Sequence, residues 1–280
     1  MKKKNVHICG LLQLVCLYLY VHADHLSFEH KSIKILTVIP ARSGSKGIPH
    51  KNIKPLWGKP LLAWSIEHAQ QSKYAKNMRI IVSTDSADYA RIANKFGAET
   101  PFLRPIEISH DTAVDICWAD HALRWLEENE HYIPDIVLQL RPTQPCRNVE
   151  DIDRCLDIFI NVRNRYDSLR TVVRSELYEL KMYNIIDGFL IPLFKEFNGI
   201  LEPYNGLRQM FPSNMIDYYT EDQKQSIRYI HNGYIDIFNA AIIKTGSISG
   251  ERIYPYVMEK TDTIDIDTYE DWQKAELAHK

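Results

Sequence analysis

A cluster of basic residues and glycines follows the first apolar segment of the body of the chain. It reads IPARSGSKGIPHKN and contains Arg42, Lys46 and Lys51 together with Gly44 and Gly47. Glycines let a backbone bend and approach a ligand closely, and successive backbone N–H groups in such a bend can bind an anion. Arginine can bind phosphate oxygens bidentately, and lysines supply point charges. The cluster is therefore suited to a di- or triphosphate.

Two common phosphate-binding patterns, GxxxxGK[ST] and GxGxxG, are absent from this cluster. A mononucleotide-binding P-loop and a dinucleotide fingerprint are therefore excluded. A flexible basic turn without a ligand is the alternative interpretation.

A pair of aspartates lies near the C-terminus, where the sequence IDID contains Asp265 and Asp267. On a strand, residues two apart face the same side, and two adjacent carboxylates repel each other unless a cation lies between them. Mg²⁺ binds carboxylates together with substrate phosphates. We predict a magnesium site here, with a solvated acidic edge as the alternative. If both features serve one ligand, Lys51 and Asp267 must converge on the same phosphate tail.

Polar residues also follow other predicted strands. Asp85, in STDS, is positioned for a ligand group or a loop hydrogen bond, although Asp and Ser also cap helices well. Arg104, in LRP, and Arg141, in LRPTQP, are arginines at strand ends. Pairing with a carboxylate would explain either arginine, whereas an anion-binding role explains both together.

Alternating strand and helix patterns predict the elements that position these residues. The predicted strands are 33–39, 79–84, 135–140, 168–173 and 234–243, and the predicted helices are 60–75, 86–97, 112–129 and 148–162. A hairpin is predicted within 182–194, with Asp187 and Gly188 at its turn, and a short polar strand and a helix end the chain. This alternation predicts an α/β fold with a mostly parallel sheet, whose ligands bind at the carboxyl ends of the strands.

Composition limits the classes of function. The chain has 280 residues and a formal net charge of -2, which argues against a surface that coats nucleic acid. Its five cysteines have neither the spacing of a zinc site nor that of a disulfide framework. No nucleic-acid partner is expected.

The first 30 residues differ from the rest. They combine a basic start, an apolar run of 14 residues and the small residue Ala23. Residues 1–23 fit a secretory signal peptide, whereas an extension of a cytoplasmic protein is the other interpretation, and we expect the cytoplasmic location. The apolar run is short for a membrane span, and no later segment is apolar enough for one.

From residue 35 to the C-terminus the chain resembles the acylneuraminate (CMP-sialic acid) cytidylyltransferases. The matching motifs are IPARSGSKGIPHKN, IIVSTDS, LRP…SHDTA, LRPTQP, LRQMFP, NGYIDI and DTIDIDTYEDWQKAE. The resemblance implies a Rossmann-like three-layer sandwich of the nucleotide-diphospho-sugar transferase type over residues 31–280. It also implies an inserted dimerisation arm at about 175–230, and hence a homodimer. The implied reaction is Mg²⁺-dependent transfer of CMP from CTP to an acidic nine-carbon sugar.

The resemblance also implies roles for individual residues. Lys51, Arg42 and Lys46 would be catalytic; Arg42, Ser45, Lys46, Lys51, Asn52, Ser83 and Arg104 would bind the nucleotide; Arg208 and Gln209 would bind the acid sugar; Asp265 and Asp267 would bind the metal. Asp85 joins the nucleotide-binding set through its place at a strand end, and Arg141 and Tyr234 join the sugar-binding set. No residue is predicted as a general base.

Departures from the family pattern fall on the sugar side. Family members usually have QPTSP where this chain has RPTQP, so Arg141 replaces a glutamine. They usually have NGAIYI where this chain has NGYIDI, which introduces Tyr234 and Asp236. An expected arginine is Ile230, with Arg228 nearby as a candidate substitute. A different base or acid sugar (legionaminic, pseudaminic or Kdo-like) therefore stays an alternative, as does a non-catalytic glycan- or nucleotide-binding protein.

Overall fold

A computed structural model describes residues 33–174, 182–197, 200–201, 229–259 and 263–278. The predicted leader lies outside these ranges, as does most of the predicted arm. The strands are β1 (Ile35–Pro40), β2 (Pro55–Leu56), β3 (Lys59–Pro60), β4 (Met78–Ser83), β5 (Ile136–Gln139), β6 (Ser168–Arg174), β7 (Met182–Ile186), β8 (Phe189–Pro192), β9 (Glu196–Phe197), β10 (Ile200–Leu201), β11 (Tyr229–Asn239) and β12 (Ile253–Met258). The α-helices are α1 (Leu61–Gln71), α2 (Ala87–Lys95), α3 (Asp115–Glu130), α4 (Val149–Val162) and α5 (Tyr269–Ala278). Short 3₁₀ helices cover Lys51–Ile53, Ala75–Asn77, Ile106–Ile108 and Ala240–Thr245.

The central sheet is mixed and has eight strands in the order β4-β1-β5-β11-β6-β12-β8-β7. β1 is parallel to both β4 and β5, and β12 is parallel to β6. β11 runs antiparallel to both β5 and β6. The prediction of a mostly parallel sheet is confirmed for β4, β1, β5, β6 and β12, which all run in the same direction, and it misses that β11 runs against them. Hydrophobic patterning identifies a buried strand but does not encode its direction.

Most of the predicted elements are confirmed to within a few residues. The hairpin is β7–β8, and Asp187 and Gly188 both have positive φ at its turn, at 51° and 80°. β12 was not predicted, since Pro255 interrupts its pattern. β12 tolerates this proline because, among the described residues, its edge facing β8 is paired only at Ile253. The predicted strand over 263–267 is wrong, since that segment has no ladder.

The main core lies between α3 and one face of the sheet. It contains Leu36 and Val38 from β1, Ile81 from β4, Val137 from β5 and Phe238 from β11, which pack on residues of α3, namely Trp118, Ala119, Ala122 and Leu126. Full burial of a large apolar side chain stabilises a fold by roughly 1.5–3 kcal/mol. This packing fixes the strand ends from which the predicted site residues project.

A second apolar cluster connects the two ends of the described body. Ile48 and Leu56, which flank the basic segment, pack with Ile266 and with Trp272 and Ala275 of α5. Ile266 is fully buried, whereas its neighbours Asp265 and Asp267 are exposed. The two aspartates therefore point outward together, although their segment is not a strand. Within the described ranges, no helix has the length and apolarity needed to cross a membrane.

Candidate active site

The basic segment is tied to the end of β4 through Ser43. Both oxygens of the Asp85 carboxylate accept hydrogen bonds from Ser43, one from its backbone N–H at 2.7 Å and one from its hydroxyl at 2.6 Å. Ser86 caps α2, because its side chain accepts a hydrogen bond from the backbone N–H of Tyr89. Of the alternatives for Asp85, the structure shows the loop hydrogen bond.

The segment is closed by contacts of its own. Arg42 Nη1 donates to the Gly44 carbonyl at 2.7 Å, and the buried amide of Asn52 donates to the Arg42 carbonyl at 3.0 Å. The Ser45 N–H donates to the Ser43 carbonyl at 3.0 Å. Lys46 is largely exposed and is paired with Asp111. The segment is therefore an ordered bend with an exposed lysine at its tip, not a featureless turn.

Lys51 and Asp267 lie together, although 216 positions separate them in the sequence. Lys51 Nζ donates to Asp267 Oδ1 at 3.0 Å and to the Ile266 carbonyl at 2.6 Å. The Lys51 side chain is only 12% exposed, whereas that of Asp267 is 73% exposed. The basic segment and the aspartate pair therefore share one crevice, as the sequence predicts.

Gly47 makes this contact sterically feasible. A Cβ atom at position 47 would lie 2.3 Å from the carbonyl oxygen of Asp267, closer than atoms can approach without displacement. The glycine was predicted to allow close approach to a ligand. In the structure it allows close approach of the basic segment to the aspartate segment.

The aspartate pair has the electrostatics of a cation site. Asp265 keeps exposed surface, but the crevice removes part of its hydration, and this loss, followed by the charge of Asp267, raises the pKa of Asp265 above its ordinary value. Thr143 anchors this segment, since its carbonyl accepts the Ile266 N–H at 2.9 Å. In the described part of the chain, no group of three or more His, Cys, Asp or Glu side chains could hold a metal ion. Two carboxylates alone suit a cation whose remaining ligands come from water and phosphate.

Arg104 is a buried cation at the end of β4. Its Nε donates to Ser83 Oγ at 3.1 Å, and its Nη2 donates to the Ser83 carbonyl at 2.5 Å. Burial lowers the pKa of Arg104 to about 10. The charges of Asp85 and Asp115 partly offset the effect of burial on this pKa, but among the described residues neither carboxylate forms an ion pair with Arg104. Pairing with a carboxylate therefore does not explain this arginine, and an anionic or carbonyl-bearing ligand would satisfy it.

Arg141 has the opposite environment. It is paired with Asp236 of β11 and with Asp115 of α3, the latter at 2.7 Å. Burial would lower the pKa of Arg141, but the charges of these two aspartates raise it above its ordinary value. Gly233, at a bulge in β11 with φ of 64°, leaves space for the Arg141 side chain. Carboxylate pairing therefore accounts for Arg141, although not for Arg104.

Tyr234 is buried behind the loop that carries Arg141. Its hydroxyl accepts the Asn148 N–H at 2.6 Å and donates to Asp151 at 3.1 Å, so it bonds the start of α4. Arg147 donates to the carbonyls of Tyr234 and Arg141, at 2.7 and 3.0 Å. These contacts connect β11, α4 and the Arg141 loop.

The structure thus brings together the basic segment, Asp85, Lys51 and the aspartate pair, while the Thr143 contact connects the Arg141 loop to them. Sequence reasoning missed Asp111, Asp115 and Arg147. Asp115 resembles an ordinary acidic residue in the first turn of a helix, and only the fold places it beside Arg141. Arg208 and Gln209 lie outside the described residues, as does Arg228.

Comparison with known proteins gives consistent results. A family model described as "Cytidylyltransferase" matches residues 36–184. An N-acylneuraminate cytidylyltransferase of Escherichia coli O18:K1:H7 is 32% identical over 243 residues, covering 86% of this chain and 51% of that protein. A CMP-N,N'-diacetyllegionaminic acid synthase of Legionella pneumophila is 40% identical over 126 residues, covering 45% of this chain and 53% of that protein. The chain thus spans about half the length of these two curated relatives.

A solved structure supports the fold alone. A CMP:2-keto-3-deoxy-manno-octonic acid synthetase complexed with CTP superposes with a TM-score of 0.62 at 16% identity, covering 88% of this chain and 98% of that chain. The fold described above is therefore similar to that of a nucleotidyltransferase.

Proposed function

Because the chain belongs to the cytidylyltransferase family, we propose that it transfers CMP from CTP to a nonulosonic (sialic-acid-like) sugar and releases pyrophosphate. The observation that carries this proposal is the contact between Lys51 and Asp267, which joins the basic segment to the aspartate pair. A phosphate tail and its counter-cation need these two features side by side.

We place the phosphate tail of CTP along the basic segment. Arg42, Ser45, Lys46, Lys51 and Asn52 form the proposed set, with Arg42, Lys46 and Lys51 as the catalytic residues. Lys46 is mostly exposed at the tip of the bend, so it can exchange Asp111 for phosphate oxygens. Lys51 donates a hydrogen bond to Asp267, so the position of its ammonium group is fixed before the ligand binds. Such preorganised charge stabilises the phosphate oxygens as charge develops on them.

Asp265 and Asp267 fit Mg²⁺ as its protein ligands, because their mutual repulsion is relieved when a cation binds. Bound there, Mg²⁺ would neutralise the charge of the phosphate oxygens. The chain's own contribution is to hold both carboxylates outward on either side of buried Ile266.

The nucleoside is proposed to lie at the end of β4. Ser83 and Arg104 would contact the base and its sugar, and Asp85 would act by holding Ser43 of the basic segment. The acid sugar is proposed to lie on the side of Arg141 and Tyr234, with Arg208 and Gln209 completing that side. We also retain the Rossmann-like three-layer sandwich, the inserted arm, the homodimer and the cytoplasmic location as proposals.

The proposed step is an in-line displacement. The oxygen of the anomeric hydroxyl attacks the α-phosphorus of CTP, and the bond from that phosphorus to the bridging oxygen breaks. Pyrophosphate leaves with the bonding electron pair, and the hydroxyl proton passes to solvent. Catalysis then consists mainly of positioning and electrostatic stabilisation.

The experiment is a pyrophosphate-release assay of the purified full chain, with each of the four ribonucleoside triphosphates and a panel of nonulosonic acids. We expect release only with CTP, an acid sugar and Mg²⁺ present together. Chelation of Mg²⁺ should abolish release and its re-addition should restore it. Binding of nucleotide without turnover under all conditions would support a non-catalytic binding protein instead.

Two variants test the contact between Lys51 and Asp267. Lys51→Ala and Asp267→Ala should each lower turnover roughly 10²–10³-fold, the usual cost of removing one preorganised charge. Lys76→Ala is the matched control, because Lys76 is exposed and precedes the amino end of β4, whereas the basic segment follows the carboxyl end of the parallel strand β1. Near-normal turnover by either junction variant would refute the assigned role.

A further inference from the structure

Arg141 is held between two carboxylates, which changes what it can bind. One Nη group donates to Asp236 and the other donates to Asp115 Oδ2 at 2.7 Å. The Arg141 side chain is 22% exposed and that of Asp115 is 29% exposed, so both are accessible to a ligand, whereas Asp236 is buried.

Each carboxylate is fixed in turn by further donors. Trp118 Nε1 donates to Asp115 Oδ1 at 2.9 Å, and Gln139 Nε2 donates to Asp115 Oδ2 at 3.1 Å. On the other side, Asp236 Oδ1 lies 2.7 Å from His231 Nε2 and 3.4 Å from the buried guanidinium of Arg170. The carboxylates of Asp115 and Asp236, themselves fixed by these donors, therefore hold the Arg141 guanidinium in one orientation.

The charges of this group favour neutral ligands over anions. A guanidinium has five N–H donors, and the contacts above leave some of them free. A sugar carboxylate placed against Arg141 would also face Asp115, and the negative charge of Asp115 would oppose it. A hydroxyl or an acylamino group faces no such repulsion. It can accept from Arg141 with its oxygen and donate to Asp115 with its O–H or N–H.

We propose that Arg141 and Asp115 select the sugar by its neutral hydroxyl or acylamino groups and do not bind its carboxylate, with Asp236 as the positioning residue that fixes Arg141. The proposal rests on the proposed function, since it assumes that the acid sugar occupies this side. It couples two departures from the family pattern: the arginine of RPTQP and the aspartate of NGYIDI form one ion pair. Neither substitution is then independent of the other.

The first test measures KM for the sugar and for CTP separately. Asp115→Asn should raise KM for the acid sugar about ten-fold or more, since a hydrogen bond to a charged group contributes about 1.5–3 kcal/mol. KM for CTP should stay within two-fold. Equal changes in both constants would overturn the proposal, because they would indicate a general disturbance of the site.

The second test asks whether Arg141 binds the carboxylate. Apparent affinities of the acid sugar and of its carboxamide analogue are compared in the wild type and in Arg141→Gln. The quantity compared is the affinity for the acid sugar divided by the affinity for its carboxamide analogue. If Arg141 does not bind the carboxylate, this ratio should be the same in both proteins, within two-fold. A ten-fold smaller ratio in the variant would overturn the proposal.

A double variant tests whether Arg141 and Asp236 are coupled and separates this coupling from a general loss of stability. Arg141→Gln alone leaves the buried charge of Asp236 with less compensation, so Arg141→Gln/Asp236→Asn should recover part of the lost thermal stability. If the two substitutions are simply additive in stability, the pair is not coupled and the positioning role of Asp236 fails. Absence of turnover by the wild type with every acid sugar would instead refute the proposed function and is distinguishable from these outcomes.

Discussion

At the scale of single residues, the contact between the basic segment and the Asp267 segment depends on Gly47, which has no side chain. The basic segment reaches Asp267 because position 47 carries no Cβ. Lys51 can then donate to both the Ile266 carbonyl and the Asp267 carboxylate. A small backbone displacement here would move a lysine and a carboxylate that are proposed to contact the same phosphate tail.

Gly47→Ala should therefore impair both stability and turnover. The new Cβ would lie 2.3 Å from the Asp267 carbonyl oxygen, so backbone must shift, and overpacking of this kind costs about 1–3 kcal/mol. We expect a lower melting temperature and at least a ten-fold lower rate of pyrophosphate release. Gly44→Ala is the matched control for stability, since its Cβ would meet only Arg42 Nη1 at 3.6 Å. Equal effects of the two substitutions on the melting temperature would contradict this explanation.

At the scale of elements, the sequence predicts most strands and helices correctly but does not predict that β11 runs antiparallel to its neighbours. The basic segment, Asp85, Arg104 and the aspartate pair were identifiable because each follows a strand or stands out by charge. Asp115 and Arg147 were not, because their partners come from elements far away in the sequence. The 263–267 segment faces outward at both aspartates through burial of Ile266 and not through a ladder. The residue pattern was thus informative although the element was wrong.

Tyr234→Phe tests the connection between β11 and α4. The hydroxyl accepts the Asn148 N–H and donates to Asp151, so its removal leaves a donor at the helix start without this acceptor. Asn148 is an exposed residue, so the loss is that of an ordinary intramolecular hydrogen bond, about 0.5–1.5 kcal/mol. We expect the free energy of unfolding, measured by urea titration, to fall by that amount. Tyr254→Phe, on β12, serves as the aromatic control, and equal stability of the Tyr234 variant and the wild type would argue against the connection.

At the scale of the whole molecule, charge is arranged locally. The net charge is only -2, yet the buried interior contains Arg104, Arg147 and Arg170. These cations bond carbonyls, hydroxyls or Asp236. They also influence histidines: burial, and then the charges of Arg147 and Lys59, lower the pKa of His68 to about 3. Burial likewise lowers the pKa of His231 to about 4.

These two histidines predict that stability falls in mild acid. Between pH 6.5 and about 4 the unfolded chain binds protons at both histidines while the folded chain does not, so the free energy of unfolding decreases as pH decreases. Each histidine contributes about 1.4 kcal/mol per pH unit below 6.5. Urea titrations at pH 7, 6 and 5 should show this dependence of the free energy of unfolding on pH. His68→Gln should lower the slope by the contribution of one bound proton, about 1.4 kcal/mol per pH unit. A slope that is the same in the His68 variant and the wild type would show that His68 is protonated in the folded protein.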